Sequence, residues 1–416
     1  MPTFSIPLSG LTAESTALSA IANNLANLNT VGYKDTQVLF RDLFYQSIGS
    51  SGSGDPIQLG AGVAVSTMPS NFTQGNVDPT GVATDVAIND EGFFIVQRDG
   101  ITSYTRAGDF SKDENGSLVT AEGQQVMGYP AINGAISTGQ GLTPLQLSTG
   151  TMSPPTATTS LQLRTNLNAA AVVGSADGTY STPITVYDSL GASHVLKFTF
   201  TKTASNAWDY QISIPTGDLL PGPPAPTGIL KTGNLTFDGN GVLTAPAADV
   251  TGISIAGLAD GATDMSFAWK LYDAGTPVVS QVAAPSSTSS TQQDGSGSGT
   301  LSTFAIDSDG MITGSFSNGK TAVLGQLALA TFANVQGLSR IGKNGFSETL
   351  ASGQAVIGAP GTGGRGTLAG GALELSNVDI AKEFAAMIVA QRGFQANARA
   401  VTTFDEITQE TINLKR

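Results

Sequence analysis

Two kinds of hydrophobic pattern divide the chain. Near its start, Leu11, Leu18 and Leu25 recur every seven residues, and Glu14, Ile21 and Leu28 form a companion series three residues on. That is the a/d seam of an amphipathic helix, with Glu14 its one charged member. Ser9 or Thr12 is expected to cap the helix and Gly32 to end it. Near the other end, Ile380, Phe384, Met387, Gln391, Phe394, Ala398 and Val401 follow a 4-3-4-3 rhythm. The stripe slips by one position and continues through Phe404, Ile407, Thr411 and Leu414. No proline falls between 361 and 416. The spacing predicts one helix of about ten turns reaching nearly to Arg416, capped by Ser376 or Asn377.

Amphipathic helices usually bury their stripe against a globular core. Here each is separated from the middle of the chain by a Gly/Ser-rich stretch, SIGSSGSGDP at 47–56 and GAPGTGGRGTLAGG at 358–371. Such stretches read as linkers. The two helices are therefore expected to project together and to need a partner. Their seam residues are the candidates for self-assembly: Leu11, Leu18, Ile21, Leu25 and Leu28, then Ile380, Phe384, Met387, Phe394, Val401, Phe404, Ile407 and Leu414.

Between the ends the period changes from helical to two. In VLKFTFTK, residues 195–202, Leu196, Phe198 and Phe200 share one face, and Trp208, Tyr210, Ile212 and Ile214 repeat the alternation. These are half-buried antiparallel strands. Turn pairs separate them: Asn115-Gly116, Asp188-Ser189, Asp238-Gly239, Asp309-Gly310 and Asn318-Gly319.

Composition narrows the chemistry. Among 416 residues there is no cysteine and one histidine, His194, which excludes disulfides, thiol catalysis and any His-pair metal motif. Charged residues make up 12%, and the net charge of −13 argues against a nucleic-acid partner. No apolar run is long enough to span a membrane. The charge is uneven. Residues 1–48 hold two basic and three acidic side chains, and residues 372–416 five and six, so the ends are near-neutral while the body is acidic. The first basic residue is Lys34, and no apolar run precedes it. No cleaved secretory signal is expected, and export would use another route.

Short motifs yield to plainer readings. GSFSNGKT at 314–321 satisfies the phosphate-binding loop pattern, which needs a helix after it. The following AVLGQLALATF alternates like a strand, so Asn318-Gly319 is a hairpin turn and Lys320 an exposed strand residue. GTGGRG at 361–366 lies in linker composition without a βαβ unit. FSKDENGSL, LTFDGNGVL and FAIDSDGMI place Gly at position 4, where a calcium loop requires position 6, and read as hairpins. His194 is expected at a turn or on the surface. No catalytic residue, metal ligand or cofactor is expected.

Longer strings carry more. SGLTAESTALSAIANNLANLNTVGYK at 9–34 and LSNVDIAKEFAAMIVAQRGFQANARAV at 375–401 resemble the two terminal signatures of the bacterial flagellar axial proteins, the rod, hook and hook-associated family. Asn23, Asn24, Asn27, Asn29, Gly32, Tyr33 and Lys34 fall in the first signature. FSIPLSGL at 4–11, DPIQLG at 55–60, TDVAINDEGFFIVQ at 84–97, TVYDSLGASH at 185–194 and LSTFAIDSDG at 301–310 are similar to the hook members of that family.

The resemblance implies a multidomain α+β fold. A terminal coiled-coil polymerisation domain would comprise 1–32 and 375–416, and a linking region 33–71 and 361–374. A first, mainly antiparallel β domain would comprise 72–147 and 288–360, with a second, outer β domain, 148–287, inserted in it. It implies a non-enzymatic subunit that polymerises with itself into a curved tubular joint transmitting torque from rod to filament. The expected partners are further copies of the chain, the distal rod, the hook cap, the hook–filament junction protein and the flagellar export apparatus. The expected location is the extracellular hook. A distal rod subunit, or an extracellular adhesin or carbohydrate-binding β protein, is the alternative reading.

Overall fold

The computed structural model describes residues 5–43, 46–50, 55–132, 134–147, 152–222 and 225–413. The chain is mostly β, with one long helix near each end: α1, Ser5–Ala26, and α2, Ile380–Asn413. It divides into two compact units. The first comprises 1–148, 304–314 and 323–416, and the second 149–303 and 315–322.

α1 starts earlier than its Ser and Thr signals suggest. Pro7 sits in the first turn, where its missing N–H costs nothing. Ser9 and Thr12 are therefore inside the helix, and their hydroxyls donate back to the carbonyls of Ile6 and Ser9. Gly32 lies beyond the helix end, at φ 67°, in the reversal that follows. α2 is capped by Asp379, whose Oδ1 accepts from the N–H groups of Ala381 and Lys382. Neither Ser376 nor Asn377 caps it. Leu414 lies outside the described residues.

Parts of the expected linkers are paired strands. Gln46–Ser50 pairs with Pro56–Leu59 in an antiparallel ribbon. Thr367–Gly370 pairs with Val86–Asn89, and Ala372–Glu374 with Val77–Pro79. Backbone pairing here overrides a composition that would otherwise favour flexibility.

The core of the first unit is built on Phe93–Arg98. This strand lies between Ile101–Thr105 and the strand Gln125–Ile132. Its apolar run is covered on both faces. Phe94 and Val96 pack with Ile88, Leu118 and Leu147. Phe93 and Ile95 pack with Tyr104, Ala328 and Phe346.

The second unit contains two five-stranded sheets. In one, Thr179–Tyr187, Ser193–Ala204, Ala207–Ser213 and Ile229–Phe237 run antiparallel in order. The alternation read from sequence holds: Leu196, Phe198, Phe200, Trp208, Tyr210, Ile212 and Ile214 are all buried. They pack with Leu161, Leu163, Ile253, Phe267 and Trp269 of the other sheet in one core. That second sheet departs from the antiparallel expectation. Ser160–Asn168 pairs in parallel with Met265–Lys270 and Val279–Val282, and antiparallel with Ser287–Gln293.

The turns are one residue longer than a two-residue hairpin. Gly116, Gly191, Gly241, Gly310 and Gly319 are the left-handed residues, each donating to the carbonyl three positions back. This is a type I turn closed by a left-handed glycine. Gly239 and Ser189 are the first central residues of their turns, and the left-handed position falls two residues later, on Gly241 and Gly191. Asp113, Asp188, Asp238 and Asp307 each open such a turn, and their Oδ1 atoms accept from the N–H groups two and four residues on. His194 also departs from its expected place. It is buried, not on the surface, and lies among aspartates.

Candidate self-assembly site

The motif residues at the end of α1 converge on Asn24, which is buried. Its Nδ2 donates to the Thr36 carbonyl and to Glu383 Oε1, at 3.0 and 3.2 Å. Its Oδ1 accepts from the Thr36 N–H at 3.0 Å and from the Tyr33 hydroxyl at 3.1 Å. One side chain thus ties α1, the chain leaving it and α2. Asn23 donates to the Tyr33 hydroxyl, and Asn27 donates back to the Asn23 carbonyl. Asn29 is exposed.

Beyond Tyr33, Lys34 is fully buried, a position that its charge makes costly unless paired. Its Nζ donates to Glu374 Oε1 at 2.5 Å and to the Thr73 carbonyl at 2.7 Å. Arg106 reaches the other carboxylate oxygen of Glu374 at 3.2 Å. Burial lowers the affinity of both Lys34 and Arg106 for their protons, and Glu374 opposes that shift in each. Arg340 stacks over the Tyr33 ring and donates to the Lys34 carbonyl. Asn377 joins the same junction from the approach to α2, accepting from the Asp35 N–H and donating to the Asn71 carbonyl. The sequence pattern marked Asn24, Tyr33 and Lys34. It missed Glu374, Arg106 and Glu383, which carry no periodic signal and lie in other segments.

α1 and α2 meet mainly through small side chains. Ala17, Ile21 and Ala390 are buried together, with Leu18, Leu25 and Met387 against them. Gly10 abuts Asn397, and Gly393 abuts Glu14, so closely that a Cβ on either glycine would overlap the facing side chain. Short side chains let helix axes approach. The large apolar residues of α2 consequently face elsewhere. Ile380, Phe384, Phe394 and Ile407 are exposed, as are Ile388, Val389 and Ile412. Leu11, Leu28, Val401 and Phe404 are half-buried. The structure thus brings Leu18, Ile21, Leu25 and Met387 together and leaves four α2 seam residues on the surface.

Comparisons with known proteins agree on one family. Four family models match: Flagella basal body rod protein over residues 6–34, Flagellar hook protein FlgE/F/G D1 domain over 87–180, Flagellar basal body protein FlaE D2 domain over 166–296, and Flagellar basal body rod FlgEFG protein C-terminal over 369–414. The flagellar hook protein FlgE of Salmonella typhimurium is 37% identical, over 99% of this chain and 100% of that protein. The Escherichia coli protein of the same name is 36% identical over 99% and 100%. That of Treponema pallidum is 33% identical over 98% of both. The crystal structure of Helicobacter pylori flagellar hook protein FlgE2 matches at a TM-score of 0.47 and 16% identity, over 71% of this chain and 100% of that one.

Proposed function

The chain belongs to the flagellar hook protein family, and from that premise we propose that it is a structural subunit that polymerises into the curved tube of the bacterial flagellar hook. The observation that carries the assembly step is the outward row on α2. Phe384, Ile388, Val389 and Phe394 lie exposed on a helix whose contact with α1 is already made by other residues, Met387 and Ala390 among them. Burying large apolar side chains against neighbouring copies gains roughly 1.5–3 kcal/mol for each. A head-to-tail contact that does not close on itself builds an open helical tube.

In this reading α1 and α2, with residues 1–32 and 375–416, form a coiled-coil wall that carries torque. Residues 33–71 and 361–374 link it to a first β domain, 72–147 and 288–360, and residues 148–287 form an outer β domain inserted there. The low-charge Ser/Thr-rich surfaces outside make polar contacts that slide as the tube bends, so the polymer acts as a universal joint. The rod, the hook cap and the hook–filament junction protein are its neighbours along the axis, and the subunit reaches them through the flagellar export apparatus. Electron microscopy of the concentrated protein tests this. Curved tubes are expected. Straight rods would make it a distal rod subunit, and a protein that stays monomeric would overturn the assembly reading.

A further inference from the structure

The one histidine of the chain sits where four segments of the second unit meet. Asp188 opens the turn before the strand Ser193–Ala204, and its Oδ1 is held by the N–H groups of Leu190 and Ala192 at 2.8 and 2.9 Å. Its Oδ2 is thereby aimed at His194 Nε2, 3.1 Å away. Asp260, from the loop after Val250–Ile255, is arranged alike. Its Oδ1 accepts from the Ala262 N–H at 3.0 Å, and its Oδ2 faces the same Nε2 at 3.7 Å. On the far side of the ring, Nδ1 lies 3.1 Å from Asp218 Oδ2.

We propose that Asp188 Oδ2, His194 Nε2 and Asp260 Oδ2 bind a divalent transition ion of the zinc class, with Asp218 as the outer partner that orients the imidazole. Three features support this. The separations of 3.1 and 3.7 Å from Nε2 bracket the edge of about 3.4 Å between ligands on a tetrahedral ion with bonds of about 2.1 Å. All three ligand atoms lie within 4.8 Å of one another. Donation of the Nδ1 proton to Asp218 leaves the Nε2 lone pair facing the two carboxylates, the carboxylate–histidine–metal order of known sites. Charge points the same way. Three carboxylates face one imidazole, the Asp188 side chain is fully buried, and among the described residues their ion pairs are with that imidazole alone. A cation at the shared vertex relieves the excess. An imidazole nitrogen in the set favours zinc over magnesium or calcium, which prefer oxygen alone.

The cluster does not depend on the ion to hold its segments in place. Ala259 N–H donates to the Asp218 carbonyl, Leu220 N–H to the Gly257 carbonyl, and Thr263 to the Ser189 hydroxyl. The ion would instead pin the loop 256–263 to the turn 188–192. Because it binds the folded form, it raises the stability of the second unit in proportion to its concentration.

The test uses untagged full-length protein labelled with 15N in its single histidine. Zinc ions are titrated in while the imidazole resonances and the calorimetric heat are followed. One equivalent is expected to bind and to shift the Nε2 resonance more than Nδ1. Asp260→Asn is expected to weaken binding at least tenfold, and Asp218→Asn by about ten- to a hundredfold. Asp238→Asn, in a turn elsewhere, should bind as wild type. Imidazole resonances unmoved by zinc, or wild-type affinity in Asp260→Asn, would overturn the proposal. The wild-type spectrum decides the matter even if a variant fails to fold.

Discussion

Asn24 of α1 and Glu383 of α2 meet side chain to side chain at 3.2 Å across 359 positions of sequence. Asn24 makes three further hydrogen bonds at the same point, so its removal takes the acceptor from the half-buried Thr36 amide and leaves the Tyr33 hydroxyl only its bond from Asn23. Asn24→Ala is expected to cost about 2 kcal/mol, since each buried group left unsatisfied costs about 1–3 kcal/mol. Thermal melting followed by circular dichroism measures it. A change under about 0.5 kcal/mol would mean that the junction rearranges freely.

Glu383 gives that junction a pH dependence. Burial pushes its carboxyl above the ordinary value of 4.5; the Asn24 bond opposes the shift, and Asp35 and Asp379 add to it. A raised carboxyl means that the folded form holds the proton more tightly. Its contribution to stability is full below about pH 4.5 and is lost as pH rises through the raised value. Glu383→Gln keeps an acceptor for Asn24 and removes the titration. Its melting temperature should therefore exceed that of wild type near neutral pH, with the gap closing on acidification. A gap that widens in acid would contradict this.

Polymerisation should be separable from folding. Phe394 is exposed on α2, so Phe394→Asp buries no charge in the single chain. In the polymer it would place an unpaired carboxylate in an apolar contact at every subunit, at several kcal/mol each. The variant should melt as wild type and form no tubes under the electron microscope. Leu25→Asp should also block tubes, with some loss of α1–α2 packing, because Leu25 is half-buried beside Ile21 and Met387. Normal tubes from Phe394→Asp would remove this face from the contact.

Breaking the buried charge cluster should be costly. Lys34→Met deletes the closer partner of Glu374 and leaves Arg106 alone to neutralise it. Loss of one member of a buried pair typically costs about 3–5 kcal/mol. Urea denaturation should show a fall of about 3 kcal/mol. An unchanged midpoint would mean that Arg106 alone satisfies Glu374.

The loop at 314–321 distinguishes a turn from a phosphate site. Gly319 has φ 76° with open space around it, and Lys320 Nζ donates to the Asp294 carbonyl on an exposed face. Gly319→Val should destabilise by about 1–2 kcal/mol through the left-handed conformation alone. Lys320→Ala should change stability by less than about 0.5 kcal/mol. Calorimetry should detect no ATP or GTP binding. Saturable nucleotide binding lost in Lys320→Ala would reopen the nucleotide reading.

What the sequence determined by itself was the local grammar. Seven-residue spacing put helices at both ends, and period-two alternation placed Leu196, Phe198, Phe200 and Trp208 inward. The terminal strings identified the family, because long ordered strings carry far more information than short motifs. What only the tertiary structure decided was which residues meet. The contact between α1 and α2 takes in Gly10, Ala17, Ala390 and Gly393 beside the seam residues Leu18, Ile21, Leu25 and Met387, since close helix approach needs small side chains among the hydrophobic ones. Within the Gly/Ser-rich stretches, Gln46–Ser50 became a strand because it pairs with the nearby Pro56–Leu59, and Thr367–Gly370 because it pairs with the sequence-distant Val86–Asn89. Arg106, Glu374 and Glu383 entered the junction, and Asp188, Asp218 and Asp260 gathered around His194, for the same reason. A buried charge is tolerable only beside its complement, and that complement is set by the folded path of the chain.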